Sequence, residues 1–353
     1  MDVLLVSPGT TAGWRRADDE LADVLEELGV SVSLVRSDMR SARHFRRTMQ
    51  LTDLAEAAAM RRALTRALRH ATPRAIVFST TQATMLQPSA RLKGAAVRFD
   101  ALAAVNRPSR ANALQHALER RALGRAKLLL PWGLDPARRV PAQLSASGTA
   151  PAVALPVAIS GSPDGDAARA PVALAYAGNP DKKGLELVAE AWHLAAPAGR
   201  RLVVTGIEAD AGRTYLRRHG VAEPPGLEWG GMLPQDEHRA LSARAEVYLS
   251  ASRIEEYGVA QLEALADGAL LVTTPSAGPY EALPLARRLE PGLVAAERTA
   301  ASLAAALDTA LALPEGDRAR YRERARDLVA PYSRAELRRR LERDVLPVLL
   351  PRG

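Results

Sequence analysis

Glu255-Glu256-Tyr257-Gly258-Val259-Ala260-Gln261-Leu262-Glu263-Ala264-Leu265-Ala266-Asp267-Gly268 stands between two short apolar runs, Ala245 to Leu249 and Leu270-Leu271-Val272-Thr273. The flanking runs read as buried strands, and the segment between them as a loop entering a helix at about Gly258 that Gly268 stops. Strand, helix and strand in so short a span form the βαβ unit of a parallel sheet. The amides of Gly258 and Val259 at the helix start, together with the helix dipole, make an anion site suited to a diphosphate. Glu263 sits over one turn inside the helix, where a carboxylate can accept two hydrogen bonds from a vicinal diol such as ribose. Glu255 lies in the loop, near whatever the phosphate carries. Two solvated glutamates that merely favour the helix N-terminus are the plain alternative.

Working outward, the same alternation recurs on both sides. Toward the N-terminus of this half lie Val172 to Tyr176, a helix from Gly184 to Ala195, the strand Arg201 to Thr205, a helix from about Ala211 to His219, Leu227-Glu228-Trp229 and a helix near Gln235 to Ala243. The first half opens on Val3-Leu4-Leu5-Val6, a helix through Leu21, Val24, Leu25 and Leu28, and a strand from Val30 to Val35. It continues with a mostly helical stretch from Ser41 to Arg69, the strand Ala75 to Phe78, a helix from about Arg110 to Arg125 and a strand from Lys127 to Pro131. Between about Pro141 and Ala170 the composition turns to Pro, Ser, Gly and Ala, which reads as a linker around one short strand, Ala152 to Val157. Buried strands alternating with amphipathic helices define an α/β chain of two Rossmann-like domains with parallel sheets facing a central cleft. Ligands of such sheets bind at the carboxyl ends of the strands.

The Glu255 to Gly268 segment resembles the E-x7-E region of retaining glycosyltransferases of family 4, which have the GT-B fold. Glu255, Tyr257, Gly258, Leu262, Glu263, Ala264, Ala266 and Gly268 fall on that pattern, and Leu271 to Glu281 is similar to the strand, Gly-rich turn and glutamate that follow it. Upstream, Ala175-Tyr176-Ala177-Gly178-Asn179-Pro180-Asp181-Lys182-Lys183-Gly184 matches the family's Gly loop and Lys-Gly pair. The resemblance assigns Lys183 to the leaving diphosphate and Gly178 to its loop. Asn179 stands where the family usually has an arginine, which puts one cationic contact in doubt and bears on donor preference; Lys182 is a candidate replacement, with a solvated lysine as the alternative. Glu228 to Pro234 resembles the loop that holds the nucleotide base, with Gly231 carried over.

In the first half, Gly9 to Arg16 lies at the first strand-to-helix turn, and the resemblance makes Gly13 and Arg16 contacts to donor phosphates and acceptor. Arg98-Phe99-Asp100 occupies the region where relatives often carry a His-Asp pair, so Asp100 is a candidate for the sugar or the acceptor, with a structural aspartate as the alternative. Glu119 reads as structural. Pro331-Tyr332-Ser333 and the basic helix after it look like the family's C-terminal segment. The resemblance implies domains at 1–158 and 159–330, and a tail, 331–353, packing back on the first. Its activity is transfer of a sugar from a nucleotide diphosphate sugar to an acceptor hydroxyl with retention, with no further cofactor and no metal. Other readings are a nucleotide-sugar epimerase, a glycan phosphorylase or a non-catalytic nucleotide-sugar-binding subunit.

Composition narrows the rest. The chain has 353 residues, 47% hydrophobic and 25% charged, which is globular rather than disordered. With no cysteine it has no disulfide framework, thiolate chemistry or cysteine-ligated zinc. Asp164-Gly165-Asp166 has the D-x-D form of a metal motif but lies in the linker, and the six histidines show no metal spacing. No apolar run reaches bilayer length and no signal peptide opens the chain, so the expected location is cytoplasmic, peripheral at the inner face of the membrane. Residues 1–150 carry 23 Lys+Arg against 13 Asp+Glu, residues 151–330 carry 19 against 24, and residues 331–353 carry 6 against 3. The net charge of +8 therefore belongs to the first half and the tail, which points to an anionic acceptor or a membrane surface, for example along the arginine-rich stretch Arg43 to Arg69. Nucleic acid is not an expected partner: aromatics are 4% and no stacking platform appears.

Overall fold

The computed structural model describes residues 1–9, 12–37, 49–106, 108–136, 139–140, 150–161 and 169–351. The chain divides into two compact units, Met1–Ala158 with Tyr332–Gly353, and Ile159–Pro331.

The first unit holds a five-stranded sheet in the order β2-β1-β3-β4-β5, formed by β1 (Val3–Ser7), β2 (Val32–Arg36), β3 (Ala75–Phe78), β4 (Ala95–Phe99) and β5 (Leu128–Pro131). All its pairings are parallel. Alternate residues of β1 supply two separate cores, because successive side chains of a strand point to opposite faces. Val3 and Leu5 pack with Leu21, Val24 and Leu25 of the helix Ala12–Glu27, while Leu4 and Val6 pack with Met60 and Leu64 of the helix Met49–Ala67. The tail joins the first of these cores: Leu337, Leu341, Val345 and Leu349 are all buried there. Burial of four such side chains contributes on the order of 6–12 kcal/mol before entropy is counted. Arg334 fastens the start of the tail helix Arg334–Arg340 by ion pairs to Glu20 and, at 2.7 Å, to Glu27.

Strand β4 is absent from the sequence reading. Its run Ala-Ala-Val-Arg-Phe is alanine-rich and interrupted by a charge, yet every residue of it is buried. Arg98 lies inside because Asp18, 3.6 Å away, the carbonyl of Ala17 at 3.0 Å and the Trp132 ring surround its guanidinium. The expected strand from Ala152 to Val157 reduces to a single bridge of Ala152 to Leu129, continued by the Leu155 amide donating to the Pro131 carbonyl. The expected helix from Ser41 is described from Met49, and Arg43, Arg46, Arg47 and Asp164 to Asp166 lie outside the described residues.

The second unit holds a five-stranded parallel sheet in the order β10-β9-β6-β7-β8, from β6 (Ala170–Tyr176), β7 (Arg201–Thr205), β8 (Leu227–Gly231), β9 (Ala245–Ser250) and β10 (Leu270–Thr273). Strand β9 is buried throughout, as expected of a strand covered on both faces. Because all five strands run the same way, the segments after β6, β9 and β10 leave from the carboxyl end of the sheet, and those segments carry the residues considered next.

Candidate functional site

Two loops meet after β6 and β9. The first is organised by Asn179, whose side-chain oxygen accepts from the Lys182 amide at 3.0 Å and caps the short helix Pro180–Lys183. The residue that stands in place of an expected arginine therefore serves here as a helix cap. Gly184 then turns with φ +66°, and a Cβ there would lie 2.2 Å from the Ala251 carbonyl oxygen, so only glycine fits between the loops. The Arg253 amide donates to the Lys182 carbonyl at 2.8 Å, and Arg298 donates to the carbonyls of Ala251 and Ser252. Arg253 and the Tyr215 hydroxyl both bond Glu186, which buttresses the first loop from below.

This framework sets Lys183 against Glu255, with Nζ 2.6 Å from Oε2. Beside them Lys182 pairs with Glu256. Glu255 is 6% exposed, and its Oε2 also accepts from the Ser252 hydroxyl at 3.0 Å and from Gln261 Nε2 at 3.1 Å. Burial pushes its carboxyl upward, but Lys183, Lys182 and Gln261 together outweigh that and leave it below the ordinary carboxylate range. The second loop is itself held: the Glu255 amide donates to the Ala277 carbonyl at 2.8 Å, and Gly278, with φ +94°, lets the segment after β10 approach within contact of the Glu255 backbone.

Gly258 precedes the helix Val259–Asp267 with φ +90°, and a Cβ on it would meet the buried Tyr280 ring at 2.8 Å. That left-handed turn aims the helix start at the loop carrying Glu255. Val259 is its first residue, and Glu263, 5% exposed, is one turn further in. Glu263 pairs with Arg239, with Nη1 3.8 Å from Oε2, and Arg239 is anchored on Asp267 at 2.7 Å and on the Ser160 carbonyl at 2.6 Å. His238 lies alongside, 3.2 Å from the Thr205 hydroxyl, and burial holds its pKa below the usual histidine value even though Glu263 acts in the opposite sense.

Gly178 is fixed by packing and Gly231 by its left-handed backbone. The Tyr176 side chain lies across Gly178 and Gly206: a Cβ would fall 2.3 Å from its hydroxyl at Gly178 and 2.4 Å from its ring at Gly206. Gly231 closes β8 with φ +69°, its carbonyl accepting from the Gly206 amide at 2.8 Å. In the first unit, Gly13 and Arg16 lie on the opening turns of the helix after β1, and Gly13 has open space where a Cβ would be. Asp100 follows β4, with Oδ1 accepting from the Ala101 amide at 2.7 Å. Glu119 caps the turn at Ala103, whose amide donates to it at 3.0 Å.

Sequence reasoning missed Gln261, Ser252 and Arg239. For Gln261 a signal existed: a polar residue at a position that the helical period places on the buried face. Ser252 and Arg239 reach the site through loop and helix packing that no local pattern encodes.

Residues 171–312 match the family model described as Glycosyl transferases group 1. No curated protein matches the chain. Among solved structures, sucrose-phosphate synthase from Thermosynechococcus elongatus superposes with TM-score 0.72 at 14% identity, over 97% of this chain and 98% of the other. WaaG, a glycosyltransferase involved in lipopolysaccharide biosynthesis, gives TM-score 0.67 at 15% identity over 100% of both chains. Anabaena Alr3699/HepE, in complex with UDP-glucose, gives 0.66 at 13% over 96% and 97%. At such identities the likeness establishes the fold, which is GT-B.

Proposed function

Because residues 171–312 carry a glycosyl transferases group 1 domain within a GT-B fold, the chain is a glycosyltransferase, and we propose that it moves a sugar from a nucleotide diphosphate sugar to an acceptor hydroxyl with retention at the anomeric carbon. The observation that carries the reading is the direct Lys183–Glu255 pair beside the helix start at Gly258, with Glu263 one turn behind it. Lys183 and the amides of Gly258 and Val259 would take the diphosphate, Glu255 a hydroxyl of the sugar, and Glu263 the ribose. Gly178 and Gly231 would let the donor approach the backbone closely, and Asn179, by capping the Lys182–Lys183 turn, would set the angle at which Lys183 is presented. The UDP-glucose bound by Alr3699/HepE is the kind of donor this arrangement suits.

As the bond from the anomeric carbon to the diphosphate oxygen breaks, its electron pair stays with the diphosphate. Lys183 and the helix N-terminus stabilise that growing charge, the acceptor oxygen bonds the anomeric carbon on the face the diphosphate leaves, and the acceptor proton passes to the departing phosphate. The cationic work is done by the protein, so the reading calls for no metal or further cofactor. Gly13 and Arg16 are assigned to the donor phosphates and the acceptor, and Asp100 to the sugar or the acceptor. The first unit carries 29 Lys+Arg against 16 Asp+Glu and the second 19 against 24, which favours an anionic acceptor or a peripheral position at the inner face of the membrane. No helix among the described residues is long and apolar enough to cross a membrane.

The test is incubation with UDP-, GDP-, ADP- and dTDP-sugars, alone and with phosphorylated or lipid-linked acceptors, following nucleoside diphosphate release and the anomeric configuration of the product by NMR. Release with a retained anomer supports the reading. An inverted anomer, or no release with any donor, contradicts it.

A further inference from the structure

Gln261 is 2% exposed on a helix otherwise buried through Leu262, Ala264 and Leu265, so a leucine would pack there at no desolvation cost. Its amide is committed on one side only. Nε2 donates to Glu255 Oε2 at 3.1 Å and to the Ser250 hydroxyl at 3.0 Å, whereas Oε1 is buried with no hydrogen-bond partner among the described residues. Oε1 instead backs onto Gly258, where a Cβ would stand 3.4 Å from it. An orphan acceptor in a core is costly and calls for a cause. Turning the amide over would lose the Nε2 hydrogen bond to Glu255 and press Oε1 against its ionised carboxylate. The orientation is thus dictated by Glu255.

All three donors to Glu255 (Lys183, Ser252 and Gln261) fall on Oε2, and Oε1 receives none among the described residues. This matters once a donor is bound, an argument that rests on the function proposed above. Lys183 must then share its charge with the diphosphate, and a carboxylate this deeply buried loses part of its compensation at the moment it is needed. We propose that Gln261 is a positioning residue for Glu255: tied to Ser250, its amide holds Oε2 in place while Lys183 serves the diphosphate, so that Oε1 stays presented to the sugar.

Gln261→Met tests this, since it keeps the length and removes both the donor and the orphan oxygen. Glu255 is followed directly by carbon-13 NMR of protein labelled at the glutamate carboxylates, its resonance assigned by loss in Glu255→Gln. The kcat-against-pH profile is taken with whichever of the UDP-, GDP-, ADP- or dTDP-sugars is turned over. The expected result is a melting temperature no lower than the parent's, a Glu255 pKa raised by about one unit, equivalent to tenfold in its protonation constant, an acid limb of kcat displaced in the same direction, kcat down at least about tenfold and KM for the donor within about twofold. Should Gln261→Met fail to fold, Ser250→Ala, which frees the amide from its other anchor, is expected to move the pKa and the acid limb the same way. Unchanged pKa and kcat in a folded variant, with Glu255→Gln inactive, would overturn the role of Gln261 and leave the proposed function standing. Full turnover by Glu255→Gln would overturn the assignment of Glu255 and the role of Gln261 with it.

Discussion

Lys183 Nζ stands 2.6 Å from Glu255 Oε2, although 72 residues separate the two in sequence. The pair joins the loop after β6 to the loop after β9, and Gly184 beside it admits no side chain.

Breaking this pair should show a particular pH signature. Glu255 has a folded pKa below its ordinary 4.5, so its ionisation adds stability that is present above that value and lost as pH falls through the folded one. In Lys183→Met the strongest opposing charge is gone and burial carries the folded pKa above the unfolded one, reversing the sign. Urea unfolding should therefore find the variant about 3–5 kcal/mol less stable than the parent at pH 7, with a gap that narrows toward pH 4. An equal gap at both pH values would deny the coupling.

Gly184 and Gly13 should part company on substitution. Gly184→Ala adds left-handed strain, about 1–3 kcal/mol, to a backbone clash with the Ala251 carbonyl, and the total loss should be at least about 3 kcal/mol by denaturant unfolding. Gly13→Ala, on a helix with open space around it, should be neutral or stabilising by up to about 1 kcal/mol. Comparable losses at the two positions would mean that the loop after β6 is not closed in the way described.

The basic first unit makes a prediction about surfaces. Sedimentation with vesicles should show binding to phosphatidylglycerol-containing bilayers that exceeds binding to pure phosphatidylcholine and weakens as salt is raised from 50 to 300 mM, in the manner of exposed charge attraction. Equal binding to both would leave a water-soluble anionic acceptor as the sense of that charge.

The second unit was readable from sequence because β6, β7, β9 and β10 centre on short apolar runs and its loops are marked by Gly184, Gly258 and Gly268, whose left-handed turns the fold requires. The first unit was less so. Strand β4 hides behind Arg98, whose partners Asp18 and Trp132 come from distant parts of the chain, and no local pattern announces a buried ion pair. Glu255, Lys183 and Gly258 could be singled out by position along the chain. That three donors converge on one oxygen of Glu255, and that Arg239 rather than a lysine attends Glu263, depends on how helices pack across β9 and could not be read from spacing.

The most direct test of the account is calorimetric titration of UDP and GDP into the parent, Lys183→Ala and Glu263→Gln proteins, each shown to be folded. Each variant loses charge-assisted hydrogen bonds worth about 1.5–3 kcal/mol, so affinity for whichever nucleotide binds the parent should fall about tenfold to hundredfold in both. Parent-like affinity in both variants would contradict the placement of the donor on this site.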